Sequence, residues 1–359
     1  MAQLQVRRGF FRQTFRFSGA TSYDASITGN DAENRRKTGE KRTKMAAAKL
    51  FAHAVMSENS HTGDRVLASN LRRQIRLFAP RGDLFMVETA NPEEFSTRQK
   101  KKRPEDFEFL KLKLDGSVAR VTLNRPEHNL LHEPMLRELA DSIDLIGQKE
   151  EIKLVVLDSA CKVFCGGIEV GEYTSQRVFQ MLDAFHSAFT GILEAAKPVI
   201  CVVNGPAIGG GAELAAFGDM VIATPKARFA QPEISIGVFP PLASTILPYL
   251  VGPKKALELV LTGEPVTAER ALEMGLINRL VPEADLEKSV NDLVARITGH
   301  SAPVLTMAKK AILSGMGLSL RDGMKQSMSI FLNELYRLED SQEGLHALVE
   351  KRKPNWKNR

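Results

Sequence analysis

Three short stretches of this 359-residue chain place carboxylates beside bare backbone. In "NGPAIGGGAEL", Gly209, Gly210 and Gly211 stand between a β-branched apolar run and a helical pattern, and Glu213 follows two residues after the last glycine. Residues without a β-carbon let a ligand approach the main chain, and a helix N-terminus offers unpaired N–H groups and the positive end of its dipole. Such a turn can hold an oxygen that is gaining negative charge. "VFCGGIEV" supplies a second pair, Gly166 and Gly167, followed by Ile168, whose backbone N–H is a further candidate donor. "FAQPEISIGVFPP" puts Glu233 directly after a proline in an otherwise apolar stretch. Carboxylates in apolar surroundings are costly unless paired, hydrogen-bonded or protonated, so both glutamates need a reason to be there. Phosphate binding is disfavoured, because the spacing is neither the P-loop form nor the dinucleotide fingerprint. A structural alternative stays open: the glycines permit close strand–helix packing and Glu213 caps its own helix.

Other reactive side chains offer less. Cys161, Cys165 and Cys201 are an odd number without metal-ligand spacing, which fits a reducing compartment and no disulfide framework. Cys165 adjoins the second glycine pair without a matched base and reads as a small apolar filler. His186 reads as a packed or surface histidine, while His128 and His132 sit near a strand-to-helix turn where they could line a ligand path. Trp356 lies in the polar C-terminus, peripheral or at a subunit contact.

The elements around these residues can be read from periodicity. "FEFLKLKLDGSVARVTLNRP" predicts two strands around Asp115-Gly116, and "HEPMLRELADSIDLIGQ" a helix with Pro134 early, where a helix tolerates it. "KLVVLDS" and "KPVICVVNG" are continuous apolar runs, the pattern of strands covered on both faces. Between them a helix places Val178, Leu182, Phe185, Phe189 and Leu193 on one stripe. "MVIATPKARFAQPE" and "INRLVP" supply further short strands, and from about residue 296 the pattern is nearly all helical. The expected fold is an α/β core of repeated strand-strand-helix units over 104–295, followed by a helical region over 296–359. Ile330, Phe331, Leu332 and Leu335 in that region exceed what one short helix buries alone, which predicts subunit contacts.

The net charge of +6 divides unevenly. Residues 1 to 85 hold 16 Lys/Arg against 7 Asp/Glu, whereas the part from Pro104 holds 28 against 33. The basicity therefore belongs to a 1–103 extension of weak periodicity, expected to be largely disordered. Its first 23 residues lack Asp and Glu and suit a transit peptide; a binding arm for RNA or membrane is another reading, and translation from Met86 a third. With the folded part acidic, nucleic acid is not an expected partner of it. No apolar run approaches the roughly 20 residues of a membrane span.

"VFCGGIEV", "NGPAIGGGAEL" and "QPEISIGVFP", in that order, resemble the crotonase (enoyl-CoA hydratase/isomerase) superfamily, and the likeness covers about 107–355, including "VARVTLNRPEHNLL" and "LTGEPVTAERALEMGLINRLVP". The resemblance implies a crotonase-like spiral, a homotrimer or hexamer built through the C-terminal helices, and no cofactor beyond the coenzyme A of the substrate. It implies a thioester oxygen held by the N–H groups of Ile168 and Gly210, with Gly167 and Gly209 beside it. Glu213 and Glu233 map onto the glutamate pair that brackets a water in the hydratase branch. After the second glutamate this chain reads Phe239-Pro240-Pro241-Leu242 where the commoner pattern is glycine-rich, giving a stiffer, bulkier pocket wall. That departure is similar to the cyclohexa-1,5-diene-1-carbonyl-CoA hydratases of aromatic-compound (benzoyl-CoA) degradation. General short-chain enoyl-CoA hydration or isomerisation and an RNA-binding relative are the competing implications. The expected compartment is the cytoplasm, or the mitochondrial matrix if the extension is a transit peptide.

Overall fold

The computed structural model describes residues 102–195 and 197–359, together with the backbone of four short strands nearer the N-terminus. The chain divides into two compact units, Met1–Arg98 and Gln99–Arg359. In the first, Leu4–Arg8 pairs antiparallel with Phe11–Phe15, and Leu77–Phe78 with Leu84–Phe85. The remainder of the expected 1–103 extension, with its transit and binding-arm readings, lies outside the described residues up to 101.

The second unit opens with the expected hairpin. Strands β1 (Leu110–Asp115) and β2 (Val118–Leu123) pair antiparallel, closed by Gly116 at φ +56°. Helix α1 (Glu133–Gly147) carries Pro134 in its first turn. Strands β3 (Leu154–Ser159), β4 (Val199–Val203), β6 (Met220–Ala223) and β9 (Arg279–Leu280) then add in parallel beside β2, giving a six-stranded sheet in the order β9-β6-β4-β3-β2-β1. A second, smaller ladder joins β5 (Pro206–Ile208), β7 (Arg228–Ala230) and β8 (Val266–Thr267). Parallel bridges Cys165↔Ala207 and Leu131↔Ile168 extend it across earlier turns. Each turn of chain thus gives residues to the large sheet, then to the small ladder, then enters a helix, which is the strand-strand-helix repeat expected.

Burial explains the unbroken apolar runs. One face of the large sheet, with Val121, Leu157, Cys201 and Val203, packs on α1 and on α2 (Val178–Glu194). The other face, with Leu154, Val156, Ile200 and Val202, packs on Val290 and Leu293 of α7 (Leu286–Thr298). Strand β4 is buried at all five positions, so neither face leaves room for a polar residue. Each such Val, Leu or Ile contributes about 1.5–3 kcal/mol of hydrophobic stabilisation.

Two details depart from expectation. The buried stripe of α2 is Met181, Ala184, Phe185, Ala188, Phe189 and Ile192, while Leu182 and Leu193 are exposed. Small alanines let α1 approach closely, so the contact face is set by Ala184 and Ala188 as much as by the larger side chains. At the other junction, α7 runs through the expected 295/296 boundary without a break. Beyond it come α8 (Ala302–Gly315), α9 (Leu320–Asn333) and α10 (Glu339–Val349). No helix among the described residues is long and apolar enough to cross a membrane.

Candidate active site

The glycine triplet sits where β5 enters helix α3 (Gly210–Ala216). Gly209 adopts φ +52°, ψ −124°, a conformation costly to any residue with a side chain, and donates its N–H to Ala230 O at 2.8 Å. A Cβ on Gly209 would collide with Oε1 of Glu233, and one on Gly211 with the carbonyl of Cys165. Bare backbone is therefore required twice over, by the glutamate and by the neighbouring loop. Gly210 opens the helix, so its N–H has no carbonyl four residues back to bond and points out of the N-terminus.

The second glycine pair is docked against this helix start. Gly167 has φ +95°, and a Cβ there would lie 2.8 Å from Ile208 O and 3.6 Å from Gly210 N. Its carbonyl accepts from Leu131 N at 2.7 Å, and Glu169 N–H donates to Leu131 O at 2.8 Å. With both neighbours bonded to Leu131, the alternation of an extended strand turns the N–H of Ile168 away from Leu131. The Ile168 side chain itself lies against Gly210. The structure thus brings Gly167, Ile168, Gly209 and Gly210 together.

What fixes the loop is a residue the sequence reading passed over. Asn129 is fully buried at φ +49°, and its Nδ2 donates to Ser159 Oγ (2.8 Å), Phe164 O (3.0 Å) and Val163 O (3.3 Å). Its Oδ1 accepts from Arg125 N at 2.8 Å, and its carbonyl takes the Cys165 thiol at 3.1 Å. Arg125 in turn reaches Leu130 O and the Glu169 carboxylate. The available signal was residue type, since Asn tolerates positive φ better than other side chains. Cys165 is buried as expected of a filler, and burial pushes its thiol up to about 12.

Both glutamates are buried: Glu233 sets its Oε1 against Gly209, and Glu213 stands in the first turn of the helix that Gly210 opens. Glu213, in the first turn of α3, accepts the N–H of Ala243 on Oε1 at 2.6 Å. Loss of solvent raises its pKa to about 7 against the bonds from Ala243 and Leu242, with the charge of Glu233 adding to the rise. Glu233 lies in the 3-10 turn Pro232–Ile236, reached directly from β7, and its pKa is raised chiefly by burial. Its Oε2 is sealed from solvent with no partner among the described residues. Burial pushes the phenol of Tyr173 up to about 12, with the charges of Glu233 and Glu213 adding to the rise.

The expected pocket wall is only partly gathered. Leu242 is half-buried at the start of helix α4 (Ala243–Leu250), where its backbone bonds Glu213, and Pro240 is buried. Pro241 is exposed, and Phe239 is 64% exposed in the single chain. The histidines keep structural places: the His128 carbonyl accepts from Gly166 N at 2.8 Å, His132 packs edge-on to Phe109 at the start of α1, and His186 is on the surface. Burial lowers the pKa of His132. Trp356 is tied to its own chain, donating to Gly299 O at 2.8 Å.

Residues 113–359 match the family model described as Enoyl-CoA hydratase/isomerase. The chain is 33% identical over 250 residues to a probable mitochondrial enoyl-CoA hydratase of Dictyostelium discoideum, covering 68% of this chain and 89% of that protein. It is also 33% identical over 250 residues to the cyclohexa-1,5-dienecarbonyl-CoA hydratase of Thauera aromatica, covering 69% and 96%. The crystal structure of an enoyl-CoA hydratase from Bacillus anthracis superposes with a TM-score of 0.67 at 27% identity, over 70% of this chain and all of that one. With the repeat, the paired glycine turns and the two buried glutamates in place, the chain belongs to the enoyl-CoA hydratase/isomerase family, with the crotonase fold.

Proposed function

We propose that this chain adds water across the α,β double bond of a cyclic dienoyl-CoA thioester of the cyclohexa-1,5-diene-1-carbonyl type, with Glu213 and Glu233 as the acid/base pair. The coarser statement, an enzyme of the enoyl-CoA hydratase type and hence a hydro-lyase, stands on the family match and the hydratases among its relatives. The observation that carries the mechanism is the pair of buried carboxylates beside the Gly210 helix start, one of them with a pKa of about 7. A carboxyl poised near neutrality can both take and return a proton.

In the proposed reaction the thioester oxygen lies between the N–H groups of Ile168 and Gly210. One glutamate takes a proton from water as its oxygen bonds the β-carbon; the double-bond electrons move to the carbonyl, giving an enolate whose charge the two N–H groups stabilise. The other glutamate delivers a proton to the α-carbon. A fixed donor of this kind is worth about 3 kcal/mol in comparable sites. The reaction as drawn uses no cofactor beyond the coenzyme A carried by the substrate. We further propose a homotrimer or hexamer, in keeping with Leu320, Met324, Met328, Phe331 and Leu332 exposed along α9, and a cytoplasmic location.

The cyclic acyl group is supported by the Phe239-to-Leu242 segment and by the relative from Thauera aromatica. The exposure of Phe239 favours a second reading, a general short-chain enoyl-CoA hydratase or isomerase whose acyl wall does not include that ring. Comparing kcat/KM for the cyclic dienoyl-CoA and for crotonyl-CoA separates them. The cyclic substrate should lead by roughly 10- to 200-fold, the range that pocket shape alone supplies. Replacing residues 240–244 by Pro-Gly-Ala-Gly-Gly should move the ratio toward crotonyl-CoA. A tenfold native preference for crotonyl-CoA would instead establish the second reading.

A further inference from the structure

The turn that carries Ile168 is weakly held by its own sequence. Gly166 and Gly167 precede it without β-carbons, Gly167 at φ +95°, so the backbone has little preference for one orientation of the peptide that follows. The Ile168 N–H is bonded to no acceptor among the described residues. Before it, Gly166 N–H donates to His128 O at 2.8 Å and Leu131 N–H to Gly167 O at 2.7 Å; after it, Glu169 N–H donates to Leu131 O at 2.8 Å. All three bonds run to residues 128–131, which are themselves irregular chain, so the two loops can shift together unless side chains tie them. Asn129 ties the incoming side, through the carbonyls of Val163 and Phe164.

The outgoing side is tied by Arg125. Its Nη1 donates to Leu130 O at 2.6 Å and its Nη2 to Glu169 Oε2 at 2.7 Å. Leu131 and Ile168 form a parallel bridge; Leu130 stands immediately before the first and Glu169 immediately after the second. A guanidinium presents its outer nitrogens in one rigid plane, so this fork fixes the separation of the two loops at the bridge. Arg125 is itself held at its backbone: its N–H donates to Asn129 Oδ1 and its carbonyl accepts from Asn129 N, both at 2.8 Å. The Arg125 side chain is 25% exposed and that of Glu169 40%, too open for the ion pair to contribute much to stability. Its place, across the bridge that carries Ile168, fits a different task.

We propose that Arg125 is a positioning residue of the hydration proposed above, on whose backbone donors this inference rests: its fork across Leu130 and Glu169 holds the N–H of Ile168 at one distance from that of Gly210. In this role Arg125 moves no proton and acts only through the loop. The Ile168 side chain lies against Gly210, where an added Cβ would be 3.3 Å from Ile168 Cγ1, so a shift of the loop changes the gap between the two donors directly. A donor displaced by about 1 Å from the developing oxyanion forfeits much of its effect on the rate.

Arg125→Met and Arg125→Lys in the full chain test this. Lysine keeps the charge but has a single nitrogen, which cannot repeat the fork. Hydration of crotonyl-CoA and cyclohexa-1,5-diene-1-carbonyl-CoA gives kcat and KM. The infrared carbonyl stretch of bound butyryl-CoA, labelled with carbon-13 at the thioester carbon and unable to add water, reports the donors without turnover. Both variants should lose about 10- to 100-fold in kcat with KM within about threefold of the wild type, and the carbonyl stretch should move back toward that of free butyryl-CoA. Thermal unfolding should stay near the wild type; were Arg125→Met to misfold, Arg125→Lys decides. Variants with kcat within about twofold of the wild type, or with a lower kcat but the wild-type carbonyl frequency, would overturn the positioning role and leave a surface ion pair. A wild type that bound butyryl-CoA without lowering its carbonyl frequency would overturn the backbone-donor reading and this inference with it. A frequency lowered equally in wild type and variants would overturn the role of Arg125 alone.

Discussion

At the scale of single residues, the two glutamates combine a cost to stability with a reactive carboxyl. The pKa of Glu213 in the folded chain is about 7 against an ordinary value of 4.5, so the folded chain retains a proton that the unfolded chain releases between those values. Stability attributable to this group is greatest below the unfolded pKa and is lost as pH rises through 7. Glu213→Gln should therefore stabilise the fold at pH about 8 by of order 1–3 kcal/mol, read as a higher unfolding temperature, and change it little near pH about 3, where the carboxyl is protonated in both the folded and the unfolded wild type. The same variant, and Glu233→Gln, should keep CoA-ester binding and lose at least about 100-fold in turnover. Near-normal hydration in either would return that glutamate to a capping or packing role.

At the scale of elements, the site is a meeting of two chain segments, each held from behind. Helix α3 is set by the bond from Gly209 to Ala230 and by Gly211 pressed on Cys165. The Gly166-Gly167 loop is held by Asn129, which satisfies three acceptors with one amide nitrogen. Asn129→Ala would leave the buried carbonyl of Phe164 without this donor and replace a residue suited to φ +49° by one that is not. We expect a loss of about 2–4 kcal/mol in denaturant unfolding, from unsatisfied acceptors and backbone strain together. Turnover should fall alongside it, measured at a temperature where the variant is folded, because Ile168, the donor proposed above, follows directly on this loop. A stable but catalytically normal Asn129→Ala would show that the loop holds its shape through Leu131 alone.

At the scale of the whole molecule, the C-terminal helices are fastened to the core at few, specific points. Lys309 of α8 reaches Asp219 at 2.8 Å and the carbonyls of Ile192 and Lys197, with only 8% of its side chain exposed. Asp340, fully buried, accepts the backbone N–H groups of Lys357 and Asn358, and Asn358 accepts from Ala302, so the polar tail is laced back onto the start of α8. Ile330 is buried within the chain and Leu335 half-buried, which leaves Phe331 and Leu332, of the four expected at subunit contacts, exposed. Truncation after residue 300 should thus remove both the clamp on Asp219 and the exposed α9 surface, giving smaller or insoluble species by light scattering. A soluble, active monomer from that truncation would defeat the assembly proposal.

The sequence by itself determined the repeat, the strands and the two glycine turns, because those rest on local chemistry: alternation, β-branched runs and the φ values open only to glycine. It also carried Glu213 and Glu233, since a carboxylate in an apolar stretch stands out without any knowledge of what surrounds it. Only the tertiary structure decided which face of α2 is buried, because Leu182 and Ala184 differ in hydrophobicity in the opposite sense to their burial, and close helix packing favours the smaller residue. Asn129 did not stand out for a related reason: it is an ordinary residue in its own segment, and its meaning comes from partners far away in sequence, Ser159 and Phe164. The raised pKa of Glu213 belongs to the same class, set by burial among residues from 233 to 243 that the fold alone brings to its helix.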